Sequence, residues 1–307
     1  MFEEGIYQEA SGRVRVERGP VSLVLSAWKG QSPQPEACLR AAALVDDILT
    51  VIKAALPLLY CPWPQTGPEQ FPSAQGAIGL VPLRMWQAAR DTGHPEMTPM
   101  CAVAGAVADA LADAVFADLG AAQPNPGEPV RVVISNGGDV SLRLAPGGSV
   151  TVGLVPALGA PGADEVVAIR AEDPVRGVAT SGLGGRGLTQ GVADAVTVFA
   201  ETGALADALA TRLCNASRLE SPRVQYVPAE SLRPGCDIAG LPVTARVSPL
   251  SQEERETALA GISRAAEPLF EAGKLHALRA TVQGMKLWFP QAWPANTSGG
   301  FHVRANP

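Results

Sequence analysis

A chain of 307 residues is long enough for one large domain or two modest ones, each with a sizeable core. Apolar residues make up 47% and charged residues 18%, the balance of an ordinary globular protein. A net charge of −6 argues against a nucleic-acid partner, because backbone phosphates call for clustered Lys and Arg.

In chain order, residues 13–17 and 21–27 alternate apolar and polar positions around Arg18-Gly19-Pro20, which predicts a β-hairpin. Residues 35–58 carry apolar side chains at helical spacing and predict one long helix. The proline-rich stretch 61–72 reads as a loop. Thr98-Pro99 opens an alanine-rich helix running to about Leu119, with Thr as cap and Pro in the first turn. Residues 130–135 and 140–144 flank Asn136-Gly137-Gly138-Asp139 and predict a second hairpin. Strands are expected at 150–155, 165–171 and 192–200, a glycine-rich loop at 182–191, and a helix at 204–215. Residues 251–271 form a helix opened by the capping box Ser251/Glu254. Residues 276–289 read as a final strand, and the tail from Pro290 as irregular. The strands come in hairpins and not in βαβ units, so the expected class is α+β with antiparallel sheets and packed helices, as a single domain over 1–307. No internal repeat stands out.

No uninterrupted apolar run reaches the ~18–20 residues of a membrane span. The start Met1-Phe2-Glu3-Glu4 lacks the basic and apolar regions of a secretory leader, so a cytoplasmic protein is expected. Five cysteines without a C-x-x-C spacing read as reduced, mostly buried thiols, not as a zinc site.

Three segments carry candidate chemistry. At Asn136, Gly137, Gly138 and Asp139, glycines would bring backbone N–H groups to a ligand while Asp139 accepts a hydrogen bond from it. The same residues also make an ordinary β-turn. In the run 179–187, Thr180 and Ser181 offer hydroxyls, Gly182, Gly184 and Gly185 offer an anion nest, and Arg186 adds a positive charge. A mobile surface loop is the competing reading. In the helix at 204–215, Asp207 and Thr211 are four apart and share a face, which suits a hard cation such as Mg²⁺. An acidic side chain favoured near a helix start explains Asp207 equally well.

The order of these segments resembles the ApbE-type flavin transferases, the FAD:protein FMN transferases, over roughly residues 98–213. The Gly-Gly-Asp turn corresponds to Asn136–Asp139, the Val-Ala-Thr-Ser-Gly segment to 178–182, and the Ala-Asp-Ala-Leu-x-Thr helix to 206–211. Residues 104–109 look like a degenerate form of the family's Lys-Gly-Tyr-Ala-x-Asp helix. The resemblance implies an uncharacterised divergent branch in which Asp207 and Thr211 hold Mg²⁺, together with a backbone carbonyl near Cys101. The cation would bridge the pyrophosphate of FAD, and FMN would pass to a Ser or Thr hydroxyl of an acceptor protein as AMP leaves. The sequence departs from the family at Ala104 and Ala106, which replace its Lys and Tyr. It also has no His between Gly182 and Val196, where the family's presumed catalytic His would lie. Asp194 is the candidate general base in that replacement loop, with a structural role as its rival. The expected function is Mg²⁺-dependent FAD phosphoryl chemistry, either FMN transfer or pyrophosphate cleavage. The alternatives are a non-catalytic flavin or nucleotide binder, or a different reaction on a small anionic substrate.

Overall fold

The computed structural model describes residues 4–71, 78–120 and 128–290, and the backbone alone of 302–303. Its centre is an antiparallel sheet in the order β1-β2-β3-β5-β6-β9-β10-β13-β14, with β4 (Ser32–Pro33) paired to β3. In chain order the path strands are β1 (Gly5–Gln8), β2 (Val14–Arg18), β3 (Val21–Lys29), β5 (Val130–Asn136), β6 (Asp139–Leu144), β9 (Gly177–Ser181), β10 (Ala195–Ala200), β13 (Ala277–Val282) and β14 (Met285–Phe289). A small sheet holds β7 (Ser149–Leu154) and β8 (Glu165–Arg170), with β15 (His302–Val303) running parallel to β7. β11 (Val224–Pro228) and β12 (Pro242–Val247) form a separate antiparallel ribbon, with the one-turn helix α6 (Ala229–Leu232) following β11. The fold is α+β with antiparallel sheets and packed helices, as its hairpin-rich sequence predicts.

Side-chain alternation decides what each sheet face meets. Val132, Ile134, Ala179, Val198 and Leu278 join the helix-side cores. Their neighbours Val133, Val178, Phe199 and Ala277 join a core shared with β7 and β8. The helical layer consists of α1 (Pro35–Ala42) on β2 and β3, α4 (Val103–Asp118) on β5 and β6, α5 (Gly203–Asn215) on β9 and β10, and α7 (Gln252–Glu271) on β13 and β14. The helices α2 (Val45–Leu59) and α3 (Val81–Asp91) complete the α1–α4 crossover, and α3 rests on α4 and α5.

Several expectations change. The single helix over 35–58 is two, α1 and α2, because the Leu44 N–H bonds the Ala41 carbonyl and tightens the chain into a turn. No Gly or Pro marks that turn. The single strand over 276–289 is a hairpin: Gln283 (φ 43°) and Gly284 (φ 82°) reverse the chain between β13 and β14. The helix α3 and strands β9, β11 and β12 had no counterpart in the sequence reading. The expected irregular tail lies outside the described residues except for β15. One helical stretch, Pro99–Asp118, is long and apolar enough to cross a membrane by length and composition, yet most of it is buried in the fold and it carries Asp109 and Asp113 in ion pairs.

An internal repeat is also present. Residues 105–112 read Gly-Ala-Val-Ala-Asp-Ala-Leu-Ala, and residues 203–210 read Gly-Ala-Leu-Ala-Asp-Ala-Leu-Ala. The two copies start α4 and α5. The helices meet there backbone to backbone: a Cβ on Gly105 would fall 2.1 Å from the Gly203 carbonyl oxygen, so any side chain would force them apart.

Candidate functional site

The crossing of α4 and α5 builds the site. An α-helix leaves its first N–H groups without partners inside the helix. Here each helix caps the other. Asp109 of α4 accepts from the Gly203 and Ala204 N–H groups at 3.0 and 2.9 Å. Asp207 of α5 accepts from the Gly105 N–H at 3.0 Å and from that of Ala104. Both carboxylates also gain from the positive end of the partner helix.

The surroundings of the two differ. Asp109 is 2% exposed and also takes the Ser141 hydroxyl at 2.8 Å and the Arg143 guanidinium at 3.2 Å. Asp207 is half-buried and has no basic partner among the described residues. Its neighbour is another carboxylate, Asp139. Asp207 is pushed well above the usual carboxylate range by removal from water and then by the charge of Asp139. Asp139 is pushed up to about 7, again by removal from water first, with the Thr180 N–H and Arg186 acting in the opposite direction. Removal from water, Asp207 and Asp237 push the Cys101 thiol up as well.

The Asn136–Asp139 turn joins this cluster through several contacts. The Asn136 amide donates to the Ala104 carbonyl at 3.2 Å, tying the turn to the start of α4. The Thr180 N–H donates to Asp139 at 3.3 Å. Arg186 reaches back over the turn, its Nη1 only 2.9 Å from where a Cβ on Gly137 would stand. Asn136, Gly137, Asp139, Thr180, Arg186 and Asp207 are therefore one place, as the sequence reading expected. Thr211 lies one helical turn beyond Asp207 and is half-buried.

Other expectations are corrected. The Gly137 N–H does not face a ligand; it donates to the Ser22 carbonyl at 3.1 Å. Gly138 has φ 113°, so its role is to close the turn. In the supposed nest, Leu183 donates to the Ala193 carbonyl and Gly185 to the Gly182 carbonyl, so successive free amides are not presented. Gly182 is small because the Asp194 carbonyl oxygen lies 2.2 Å from where a Cβ would stand. Gly184, at φ 81°, lets the loop turn. Ser181 is bonded to Cys214. Asp194 accepts from the Gln283 N–H and pins the β13–β14 turn; among the described residues no hydrogen bond or ion pair links it to Asp139, Asp207 or Arg186. Thr98 does not cap the helix with its hydroxyl, which donates to Asp237. Asp237 and the reciprocal cap Asp109 were missed. The repeat of the octapeptide was the signal that could have revealed Asp109.

The family model described as AbpE bacteria matches residues 5–287. The chain belongs to that family. This AbpE chain is also similar to a UPF0280 protein of Methanopyrus kandleri, with 39% identity over 128 residues, 40% of the chain and 45% of that protein. A UPF0280 protein of Methanoregula boonei is 38% identical over 139 residues, 44% of the chain and 53% of that protein. The chain spans about half the length of the curated relatives it matches. None of these names states a ligand or a reaction.

Asp139, Asp207 and Thr211 offer oxygen donors of the kind a hard cation takes, although among the described residues no group of three or more His, Cys, Asp or Glu is placed to hold a metal ion. Two adjacent carboxylates crowd each other, and Asp207 lacks a fixed positive partner among the described residues. A divalent ion bound by carboxylate and hydroxyl oxygens would offset that repulsion.

Proposed function

We infer that this chain binds a phosphate-bearing ligand together with Mg²⁺ in the α4–α5 cleft, with FAD as the candidate, and acts on its pyrophosphate by FMN transfer or FAD cleavage. The observation that carries the reading is the meeting of Asp139, Asp207 and Arg186 at one cleft, with Asp207 unneutralised by any base among the described residues. Asp207 and Thr211 would hold the cation. When bound, it would withdraw charge from phosphoryl oxygens as a Lewis acid. Arg186 is exposed and placed over Gly137, where it can orient an anion beside the carboxylates. Asn136 holds the turn against α4, which fixes Asp139 relative to Asp207. The five unpaired cysteines support a cytoplasmic setting.

A second reading is binding without turnover. It is favoured by Asp194, whose carboxylate is engaged by the Gln283 N–H, and by the replaced loop without a His. General-base catalysis is worth roughly 10²–10⁴-fold, so its loss would leave slow chemistry and intact binding.

One experiment separates the two. The protein is incubated with FAD, Mg²⁺ and a peptide carrying an acceptor Thr, while AMP and peptide-bound flavin are followed separately. AMP with labelled peptide supports transfer, and AMP alone supports cleavage. Tight FAD binding with neither product supports the binder. Asp207→Asn keeps an oxygen for the α4 N–H groups and should abolish the Mg²⁺ dependence; Arg186→Ala should weaken FAD affinity. Absence of FAD binding in the wild type would end both readings.

A further inference from the structure

The ribbon β11–β12 carries an excursion that the cleft chemistry does not use. Its base is closed twice: the Ala229 N–H donates to the Leu241 carbonyl at 2.9 Å, and the Gly240 N–H to Glu230 at 2.7 Å. A loop with joined ends of this size packs as an Ω-loop. Residues 233–237 are exposed apart from a half-buried end, and the segment is not sealed by an apolar core. It touches the body of the fold through two polar anchors on different elements. The Arg233 guanidinium donates to the Arg186 carbonyl, in the loop that covers Gly137 and Asp139. The Asp237 carboxylate accepts from the Thr98 hydroxyl, at the turn that leads into α4. Arg186 acts on Asp139, and the Thr98 carbonyl accepts from the N–H of Cys101 at 3.1 Å, whose thiol lies beside Asp207.

We propose that residues 233–240 form a strap across the mouth of the Asp139–Asp207 cleft, held by the Arg233 and Asp237 anchors and released when a ligand enters. The proposal rests on this cleft being the ligand site. Each anchor is a single polar contact, and only Cys236, Asp237 and Ile238 of the segment are half-buried, so opening costs two hydrogen bonds and little apolar burial. The strap therefore gates access to the cleft without being part of its binding chemistry. Cys101 reports on it, because its thiol lies beside both Asp207 and Asp237.

The test uses the full chain and no flavin, so it stands or falls apart from the FAD reading. Native protein is pulsed with iodoacetamide, and alkylation of each cysteine is quantified by mass spectrometry. Charge-assisted hydrogen bonds are worth about 1.5 kcal/mol or more, so Thr98→Val combined with Arg233→Ala should speed Cys101 alkylation about tenfold or more. The buried Cys38 and Cys214 should stay protected and so exclude global unfolding. An unchanged Cys101 rate with those two protected overturns the strap. If the double variant does not fold, hydrogen exchange on the wild type decides. Residues 233–240 should exchange together and faster than β11 and β12, and equal protection would overturn the proposal.

Discussion

The two copies of the octapeptide make a controlled comparison inside one molecule. Gly105 to Ala112 and Gly203 to Ala210 differ only at Val107 against Leu205, begin two helices, and send an Asp to the partner helix start. Asp109 ends in a closed network with Ser141, Arg143 and two N–H groups. Asp207 ends half-buried beside Asp139 and Cys101, with no base among the described residues. Local sequence fixes the shared part, which is the cap. Sheet neighbours fix the difference: β6 supplies Ser141 and Arg143 to Asp109, whereas Asp207 faces Asp139 at the start of the same strand. The same motif is thus neutralised by a base in one copy and left without one among the described residues in the other.

The largest effect should come from breaking the closed copy. Asp109→Ala removes the acceptor for Gly203, Ala204 and Ser141 and strips Arg143 of one of its two carboxylates. Removing one partner of a buried charge pair costs about 3–5 kcal/mol, and that loss is expected in urea unfolding. Asp207→Ala deletes only a cap at a half-buried position and should cost about 1 kcal/mol. Equal costs would mean that the two carboxylates are equivalent and the comparison is false. Next in size is Gly105→Ala, which drives a methyl group against the Gly203 carbonyl and should cost about 3 kcal/mol by overpacking. The same change at Gly147, where nothing lies within 4 Å, serves as a reference with only the φ penalty. A small loss at Gly105 would show that the helices can separate freely.

What the sequence disclosed follows the range of each interaction. The Ser251/Glu254 box is local, three residues apart, and the structure has both of its hydrogen bonds. The hairpins flanking Gly19 and Gly137 are equally local and equally visible. The α1–α2 break lacks Gly and Pro, and the β13–β14 turn uses Gln where Asn or Asp would have signalled it, so both were hidden. At the site, residue types marked Asp139, Arg186 and Asp207 as a group, and the fold brings them together. The loop glycines misled because glycine density does not tell which amides are free: Gly137 and Gly185 spend theirs on carbonyls. For Asp194 the structure has the structural role that the sequence left open beside the base, with a partner, Gln283, distant in sequence. The octapeptide repeat is legible in the sequence, but which N–H groups each Asp caps is set by how the two helices cross.

The smallest expected effect, and the most direct probe of the open copy, is its pH dependence. Asp139 titrates near 7 in the folded chain, above its unfolded value of about 3.9. Between those values the unfolded chain has released a proton that the folded chain still holds. The contribution of Asp139 is therefore fully present below about 3.9 and is lost as pH rises through about 7. Asp207 shifts in the same direction, for the same cause and because of Asp139 itself. Glu254, held down to about 2 by Ser221 and by the helix cap, acts with the opposite sign and in more acidic solution, so it does not mask the effect near neutrality. Metal-free protein should melt at progressively lower temperature from about pH 5 to about pH 8, and Asp139→Asn should flatten that slope. Mg²⁺ favours the ionised carboxylates, so it should raise the melting temperature more at the alkaline end than at the acid end. Matching Tm–pH curves for the wild type and Asp139→Asn would mean that burial does not raise Asp139 and that Asp139 does not raise Asp207. The cleft would then lose the electrostatic reason for holding a cation, and Asp207 would be left as a cap like Asp109.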